Sequence, residues 1–389
     1  MIVDYVIVGA GSAGSILAER LSRNGRYSVD LLEAGGTDRK FWVDVPLGFG
    51  RLFYDPKVNW AYDTEPDPRL GGRSDYWPRG KIIGGSSSIN ALVYIRGDRA
   101  DYDDWANEGN QGWSWQDVAP YFDEIETRTT VDTNSNERYG LHVHDVSTRY
   151  HPLSQHVIKA ANALQLPFNP DFNGETQEGV GYYRMTSGPD NRRMSSARAF
   201  LRPALKRKNL RVEKHAHVTR IEFDRRHARA VHYRQNGQTH RIEAGKEIIL
   251  ATGTIGSPQL LQHSGFGPAS LLKSRGIDVV ADNPNVGAHL QDHLGWDAKF
   301  RSRVPTVNNQ LSTNWARIRQ GIRYLLRGTG PLALSINQAG GFFKTDPSQP
   351  RPNMQLYFQA MTALDVKHDP GIRPTLTPDS FPAFSLGFA

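Results

Sequence analysis

The hydrophobic pattern at the start of the chain predicts a strand, a helix and a second strand. Residues 4–9 form a short apolar run that is rich in β-branched side chains and ends in glycine, as expected for a strand buried on both faces. Residues 15–21 carry apolar side chains at helical spacing, and residues 27–32 form the second apolar strand. This order indicates an α/β fold in which helices cover a parallel sheet.

The turn after the first strand carries the pattern G-x-G-x-x-G. Gly9 allows a tight turn, Gly11 lets the backbone approach a pyrophosphate, and Gly14 lets the helix pack closely on the strand. Glu33 follows Gly14 by about 20 residues, where a carboxylate meets the hydroxyl groups of a ribose. Because a carboxylate would repel a 2′-phosphate, this unit predicts a site for NAD or FAD without choosing between them.

Two later segments also combine glycine with apolar residues. Residues 84–88 contain two glycines and three serines and lead into an apolar run, which suggests a tight, buried turn whose N–H and hydroxyl donors contact a polar planar ligand. Residues 246–250 predict another apolar strand, which runs on to Gly253. A helix should follow, with Ser257 as its N-cap and Pro258 at its first position.

The last quarter of the chain predicts one helix and several strands. Residues 315–326 have apolar positions at helical spacing and are followed by Gly328, a helix terminator. Residues 338–343 and 354–359 read as strands. Residues 381–389 are apolar and alternating, so we expect a further strand there with an exposed edge.

Composition restricts the chemistry that the chain can perform. Its 389 residues are 38% hydrophobic and 22% charged, which is ordinary for a folded protein of about two or three domains. The absence of cysteine excludes disulfides, thiolate catalysis, Cys-ligated zinc and iron–sulfur clusters. No run approaches the ~18–20 apolar residues of a membrane-spanning helix, so we predict no membrane span.

The positive net charge does not by itself indicate a nucleic-acid partner. The chain has 47 Lys+Arg against 40 Asp+Glu, a net charge of +7, but its densest basic run is only residues 206–208. Nucleic-acid binding needs a patch that neutralises several phosphates at once, so we favour a solvated basic surface and predict no nucleic acid. His289 and His293 flank a Gln-Asp pair that we interpret as a turn, and we predict no metal.

Taken together, these segments resemble the glucose–methanol–choline (GMC) oxidoreductase family, flavoproteins that oxidise alcohols. The resemblance runs in order along roughly the first three quarters of the chain. It rests on residues 6–36, 59–60, 64–66, 79–97, 101–105, 112–114, 120–122, 198–201, 218–221, 253–265, 283–287 and 290–293. A match of this breadth is far more specific than a single glycine motif.

The resemblance implies FAD as the cofactor and assigns its contacts. The pyrophosphate would be held by Gly9, Gly11, Ser12, Ala13 and Gly14. Glu33 and Ala34 would contact the adenosine ribose, and the backbone of Val218 would meet the adenine. The isoalloxazine ring would be lined by Gly84, Gly85, Ser88, Asn90, Ala91 and Val93.

The resemblance also bears on covalent linkage and catalysis. Some members attach the flavin through a histidine whose position is taken here by Ile89, so non-covalent FAD is expected. The family's catalytic histidine and its His or Asn partner lie in a C-terminal segment whose landmarks are absent from this sequence. His368 lies in a polar, proline-rich stretch typical of a solvated loop, so we assign no catalytic residue. We therefore expect a chain truncated within its substrate domain, without the catalytic histidine segment.

The resemblance implies two domains. Residues 1–150 and 205–300 would form a discontinuous, Rossmann-like FAD-binding domain with a parallel sheet and helices. Residues 151–204 and 301–389 would form an incomplete, antiparallel-sheet substrate domain. The expected reaction is oxidation of a primary alcohol to an aldehyde by hydride transfer to flavin N5.

The partners implied are small molecules. The substrate would be an alcohol, and the electron acceptor would be oxygen, a quinone or another carrier, in a cytoplasmic protein. The identity of the alcohol and the oligomeric state stay open. Two alternatives also remain: an NAD-dependent Rossmann dehydrogenase, and a non-catalytic basic binding protein on a flavoprotein fold.

Overall fold

The computed structural model describes residues 2–130, 140–363 and 377–389. The strands are β1 (Ile2–Val8), β2 (Val29–Glu33), β3 (Tyr62–Asp63), β4 (Tyr76–Trp77), β5 (Val93–Tyr94), β6 (Glu126–Thr130), β7 (Leu141–Asp145), β8 (Gly179–Tyr182), β9 (Arg184–Met185), β10 (Leu210–Lys214), β11 (His217–Asp224), β12 (His227–Gln235), β13 (Gln238–Leu250), β14 (Phe266–Gly267), β15 (Ala281–Asp282), β16 (Trp296–Arg301), β17 (Asn337–Phe343), β18 (Met354–Gln359) and β19 (Ala383–Phe388). The α-helices are α1 (Ser12–Ser22), α2 (Phe41–Asp44), α3 (Phe49–Leu52), α4 (Arg99–Asn107), α5 (Trp115–Ile125), α6 (Leu153–Ala163), α7 (Arg202–Ala204), α8 (Gly253–His263), α9 (Ala269–Ser274), α10 (Val307–Leu311) and α11 (Asn314–Arg327). Short 3-10 turns lie at Pro46–Gly48, Pro68–Leu70, Gly85–Ser88, Ser147–Arg149 and Pro331–Ala333, and a π-helical turn at Ala197–Leu201.

The chain divides into two units that each contain several separate segments. Unit 1 consists of Met1–Val43, Leu52–Asn90 and Ser195–Asp292. Unit 2 consists of Asp44–Arg51, Ala91–Met194 and His293–Ala389. The predicted domains divide the chain differently: they place residues 44–51, 91–150 and 293–300 with the cofactor-binding part and residues 195–204 with the substrate part. The functional assignment of the two parts stays a prediction.

Unit 1 is built on a six-stranded mixed sheet. Its strand order is β10-β2-β1-β13-β12-β11. The first four strands are parallel, and β12 and β11 continue the sheet antiparallel to β13. Helix α1 connects β1 to β2, so the predicted strand–helix–strand start and the α/β class are confirmed.

Alternate residues of β1 enter two separate cores, one on each face of the sheet. Val6 and Val8 belong to a buried cluster that includes Leu260 of helix α8. Ile7 belongs to the opposite cluster, which includes Ala18 of helix α1. Because side chains of a strand alternate between faces, a continuous apolar run is what a sheet covered on both sides requires. The carboxyl ends of β1, β2 and β13 are therefore held rigidly at one edge of the sheet.

Unit 2 contains two four-stranded sheets. One is antiparallel in the order β16-β19-β18-β17, and the other has the order β5-β9-β7-β6. Its largest core packs Ile158 of helix α6 and Val307 of helix α10 with Val180 and Phe358. The predicted helix over residues 315–326 corresponds to α11, and the predicted strands over 338–343 and 354–359 correspond to β17 and β18.

The helix after β13 starts earlier than predicted. Ser257 and Pro258 were expected to be its N-cap and first residue, but α8 already begins at Gly253 and has Pro258 inside it. Gly253 has a φ of +80°, which lets the chain turn at once from strand to helix. The Ser257 hydroxyl lies 3.0 Å from the Thr252 hydroxyl, so it supports this turn from within the helix.

The prediction that the strand at residues 381–389 has an exposed edge is wrong. Strand β19 does form there, but it pairs with β16 on one side and with β18 on the other. Its alternating pattern reflects a central strand whose Phe384 and Leu386 pack against the core cluster that contains Phe358, while Ala383 and Ser385 on the opposite face are buried as well. Strand order is set by long-range pairing, which the alternation of side chains does not encode.

A buried ion pair joins β5 and α5 to the start of β6 in unit 2. The Arg96 guanidinium contacts both carboxylate oxygens of Glu126, at 2.8 and 2.6 Å, and Asp123 at 2.9 Å. The Arg96 and Glu126 side chains are only 5% and 2% exposed. The Tyr94 hydroxyl also donates to Glu126. This bidentate geometry compensates for the cost of taking both charges out of water.

We expect Arg96→Met to destabilise the fold by about 3–5 kcal/mol, because it leaves the Glu126 carboxylate buried without its counter-ion. Urea denaturation followed by circular dichroism measures the loss. Arg69→Met is the matched control, since Arg69 pairs with Asp67 in full contact with water and should change stability little. Equal midpoints for the two variants would contradict the structural role of the buried pair.

Candidate dinucleotide-binding site

A cavity of about 750 Å³ opens in unit 1 at the carboxyl ends of β1, β2 and β13. This is the edge at which ligands bind in open parallel sheets. The family resemblance assigned fourteen residues to cofactor binding. Eight of them line this cavity: Gly9, Gly11, Ser12, Ala13, Glu33, Ala34, Gly85 and Val218. The structure thus brings together residues that are more than 200 positions apart in the chain.

The three glycines of the first turn have different roles. Gly9 has a φ of +98° and donates its N–H to the Leu32 carbonyl at 2.8 Å. A β-carbon on Gly14 would lie 1.9 Å from the Gly9 carbonyl oxygen, so Gly14 allows α1 to pack against the turn. A β-carbon on Gly11 would meet only the Ala251 oxygen at 3.8 Å and the Gly85 Cα at 4.0 Å. The space beside Gly11 is therefore open to a ligand.

The second glycine turn lies directly against the first. Gly84 donates its N–H to the Ala10 carbonyl at 2.7 Å, and a β-carbon on Gly85 would lie 2.7 Å from the Gly11 Cα. Both residues have positive φ values, +89° and +55°. The Ser87 and Ser88 hydroxyls donate to backbone carbonyls of the same turn, at 2.6 and 2.8 Å, so they stabilise the turn itself.

Glu33 is buried at the end of β2 and is held by the backbone. One carboxylate oxygen accepts from the Ala10 N–H at 2.9 Å, and the other from the Gly35 N–H at 2.7 Å. Burial raises the pKa of Glu33 to about 7, although the two backbone N–H groups and the nearby Lys81 act in the opposite direction. The carboxylate is fixed in one orientation at the cavity wall, with acceptor capacity left for a hydroxyl donor.

The far wall of the cavity is aromatic and cationic, and sequence reasoning did not assign it a role. The Trp60 and Tyr62 rings stack with centroids 5.9 Å apart, and the Lys81 ammonium lies 4.4 Å from the Trp60 centroid. His217 meets Trp60 edge-on at 5.5 Å, and Arg79 also lines the cavity. Residues 59–60 and 79 belong to the segments that resemble the GMC family, and that resemblance is the signal by which this wall could have been predicted.

Two helices direct their N-terminal ends at the cavity. Ser12 and Ala13 belong to the first turn of α1, and Gly253 and Thr254 to the first turn of α8. The N–H groups of a first helical turn have no acceptor within the helix, and the helix dipole adds positive potential there. With Arg79 on the opposite wall, the cavity suits an anionic phosphate group.

The remaining assigned residues do not line this cavity. Gly14 and Gly84 lie behind it, and Ser88 is fully buried with its hydroxyl on the Ile83 carbonyl. Asn90 belongs to unit 1, and Ala91 and Val93 to unit 2. Their contacts with a flavin ring stay predictions, and His368 lies outside the described residues.

The part of the chain that the structure describes contains no group of three or more His, Asp or Glu side chains placed to hold a metal ion. His289 and His293 lie in an irregular segment, and the φ of His289 is +58°. Among the helices of the described ranges, none combines the length and apolarity needed to cross a membrane.

The chain belongs to the GMC oxidoreductase family, whose model matches residues 3–295. This confirms the family predicted from the sequence, and members of this family are FAD-binding flavoenzymes. The chain is 40% identical over 365 residues to an alcohol dehydrogenase [acceptor] of Pseudomonas putida, covering 91% of this chain and 65% of that protein. It is 38% identical over 362 residues to an oxygen-dependent choline dehydrogenase of Burkholderia multivorans, covering 91% and 63%. The chain thus spans just under two thirds of the length of these relatives.

Solved structures share the fold. Pyridoxine 4-oxidase from Mesorbium loti superposes with a TM-score of 0.83 at 27% identity, over 99% of this chain and 70% of that one. An FAD-dependent oxidoreductase from Chaetomium thermophilum gives a TM-score of 0.80 at 29% identity, over 88% and 62%. A formate oxidase gives 0.88 at 23% identity, over 100% and 72%, which speaks to the fold alone.

We expect Gly14→Ala to destabilise the chain by about 1–3 kcal/mol, because its methyl group would overlap the Gly9 carbonyl and push α1 away from β1. Gly11→Ala is the matched control: its φ of −73° suits alanine and its methyl group would find ordinary contacts, so the reduced entropy of the unfolded chain offsets the poorer N-cap and stability should change little. Thermal melting of the cofactor-free chain compares them. If Gly11→Ala lowered the melting temperature as much as Gly14→Ala, the conclusion that the space beside Gly11 is open would be wrong.

The raised pKa of Glu33 predicts a pH-dependent stability. The unfolded chain releases this proton near pH 4.5 and the folded chain near pH 7, so the stability contribution is greatest below pH 4.5 and is lost as pH rises to about 7. Between pH 5 and 8, the free energy of unfolding of the cofactor-free wild type should fall by about 2–3 kcal/mol relative to Glu33→Gln, which cannot ionise. Urea titrations across this range measure the difference, and parallel pH profiles would contradict the assignment.

Proposed function

We propose that this chain binds FAD non-covalently and forms the flavin-binding part of an enzyme that oxidises a primary alcohol to an aldehyde. The observation that carries the proposal is the pair of touching glycine turns at the strand edge, combined with membership of the GMC family. The names of the relatives, an alcohol dehydrogenase and a choline dehydrogenase, support an alcohol substrate. The FAD-binding role goes to unit 1, and the substrate-binding role to unit 2.

The residues of unit 1 would hold the cofactor at three places. The amides of Ser12 and Ala13 would donate to the pyrophosphate, whose charge the helix dipole of α1 favours. The Glu33 carboxylate would accept a ribose hydroxyl, and this negative charge disfavours a 2′-phosphate. The backbone of Val218 would meet the adenine, within a cavity whose aromatic wall suits a purine.

Two features support a non-covalent cofactor. Ile89 is 2% exposed and packs in an apolar cluster with Val58 and Ile82, so that position carries no nucleophile. The chain also contains no cysteine that could form a thioether. We infer that the flavin is held by the cavity alone.

Bound FAD supplies the acceptor, at N5, for the hydride that leaves the alcohol carbon. The chain's own residues bind and orient the cofactor and keep the turns around it rigid. We assign proton abstraction from the alcohol to none of them. Oxygen, a quinone or another carrier would take the electrons away.

We expect the purified chain to bind FAD and to quench its fluorescence, and Gly11→Ala to weaken this binding at least about tenfold, because its methyl group would occupy the pyrophosphate position. Fluorescence titration measures the affinity, and the unchanged stability expected for this variant separates lost binding from unfolding. Acid precipitation should release all of the flavin into the supernatant.

Flavin retained in the precipitate would exclude the non-covalent state. Tight NAD binding without FAD binding would overturn the cofactor proposal. The substrate class is tested separately by mixing the FAD-loaded chain with primary alcohols in the absence of oxygen. Loss of visible flavin absorption supports it, whereas a flavin that secondary alcohols reduce and no primary alcohol does would contradict it.

A further inference from the structure

Helix α11 of unit 2 carries its large apolar side chains on the face that points into solvent. Trp315, Ile318, Ile322, Leu325 and Leu326 are between 53% and 81% exposed. At 100° per residue, these five positions occupy an arc of roughly 100° on one side of the helix. We call this set of five residues the α11 apolar face. Amphipathic helices of globular proteins normally turn such a face inward.

The orientation of α11 is fixed by its opposite side. Tyr324 is only 7% exposed, and its hydroxyl donates to the Asn191 carbonyl at 3.4 Å. The Thr313 hydroxyl caps the helix by accepting the Ala316 N–H at 3.1 Å, and Gly328, with a φ of +61°, ends it. The helix is therefore anchored at both ends and along one side, with its apolar face outward.

The charges on α11 are all of one sign. Arg317, Arg319, Arg323 and Arg327 lie within the helix, which contains no acidic residue. Arg319 and Arg323 border the α11 apolar face on one side, and Trp315 lies within that face near its N-terminal end. Apolar side chains with tryptophan, bordered by arginines, are the pattern of a helix that lies in the headgroup region of a membrane.

We propose that the α11 apolar face docks on the surface of an anionic phospholipid membrane, with the helix axis parallel to the surface. The apolar side chains would enter the boundary between headgroups and acyl chains, and the arginines would contact the lipid phosphates. A second copy of the chain fits this face less well. A two-fold contact centred on α11 would bring two rows of arginines together, and the helix offers no carboxylate to neutralise them.

The test is flotation of the 389-residue chain with phospholipid vesicles. We expect it to float with vesicles containing about one third phosphatidylglycerol, more weakly with pure phosphatidylcholine, and less at high salt. The double variant Ile318→Ser with Ile322→Ser should lower the partition coefficient at least about tenfold. Arg319→Gln with Arg323→Gln should lower binding to the anionic vesicles by about fivefold for each charge removed.

Leu164→Ser is the matched control, because Leu164 is 77% exposed outside α11 and its replacement should leave flotation unchanged. All substituted side chains are exposed, so circular dichroism should show folded variants. The proposal is overturned if the chain does not float, or if the isoleucine variant floats like the wild type. A dimer in light scattering that the isoleucine variant converts to monomer would assign the face to a second copy instead.

Discussion

The backbone-to-backbone contact of two glycine turns is the constraint on which the cavity of unit 1 depends. Gly84 donates to the Ala10 carbonyl at 2.7 Å, and a β-carbon on Gly85 would lie 2.7 Å from the Gly11 Cα, so the second turn could not carry a larger residue at this contact without moving the first. The first turn leaves the sheet at the carboxyl end of β1, and the second lies against it. Their contact closes the floor of the cavity and keeps backbone N–H groups, rather than side chains, at its surface.

The charges around this cavity are arranged by the same geometry. Glu33 is held at the end of β2 by two backbone N–H groups, and Arg79 and the first turns of α1 and α8 lie elsewhere on the wall. Among the described residues that line the cavity, Glu33 is the acidic one, while Arg79 also contacts Asp292 at 3.6 Å. A ligand with a neutral hydroxylated ring and a phosphate can then bind in one orientation, with its hydroxyl groups at Glu33 and its phosphate at the helix N-termini. A uniformly charged cavity would not distinguish these two parts.

Several features could be predicted because their cause is local. The apolar run of β1, the spacing of the first glycines and the strand over 354–359 follow from side-chain periodicity and turn chemistry. The start of α8 could not be predicted in this way, because Ser257 and Pro258 have the local signature of a helix start. The chain instead turns at Gly253, where the end of β13 is fixed by pairing with β1.

Helix α11 shows that an exposed surface, too, depends partly on local spacing and partly on contacts between distant segments. Its spacing predicts an amphipathic helix, but the spacing is identical whether the apolar face points inward or outward. The anchoring of Tyr324 beside Asn191 decides that it points outward. A contact between residues 133 positions apart thus decides which face of this amphipathic helix is exposed.

The sequence by itself determined the family, the dinucleotide turn and most element types, since these depend on neighbouring residues and on motifs in order along the chain. Only the tertiary structure decided the central place of β19, the aromatic wall of Trp60 and Tyr62, and the outward face of α11. The physical reason is that strand order, cavity walls and helix orientation are set by pairings between distant segments. Periodicity says which residues prefer burial, and the partners that bury them come from elsewhere in the chain.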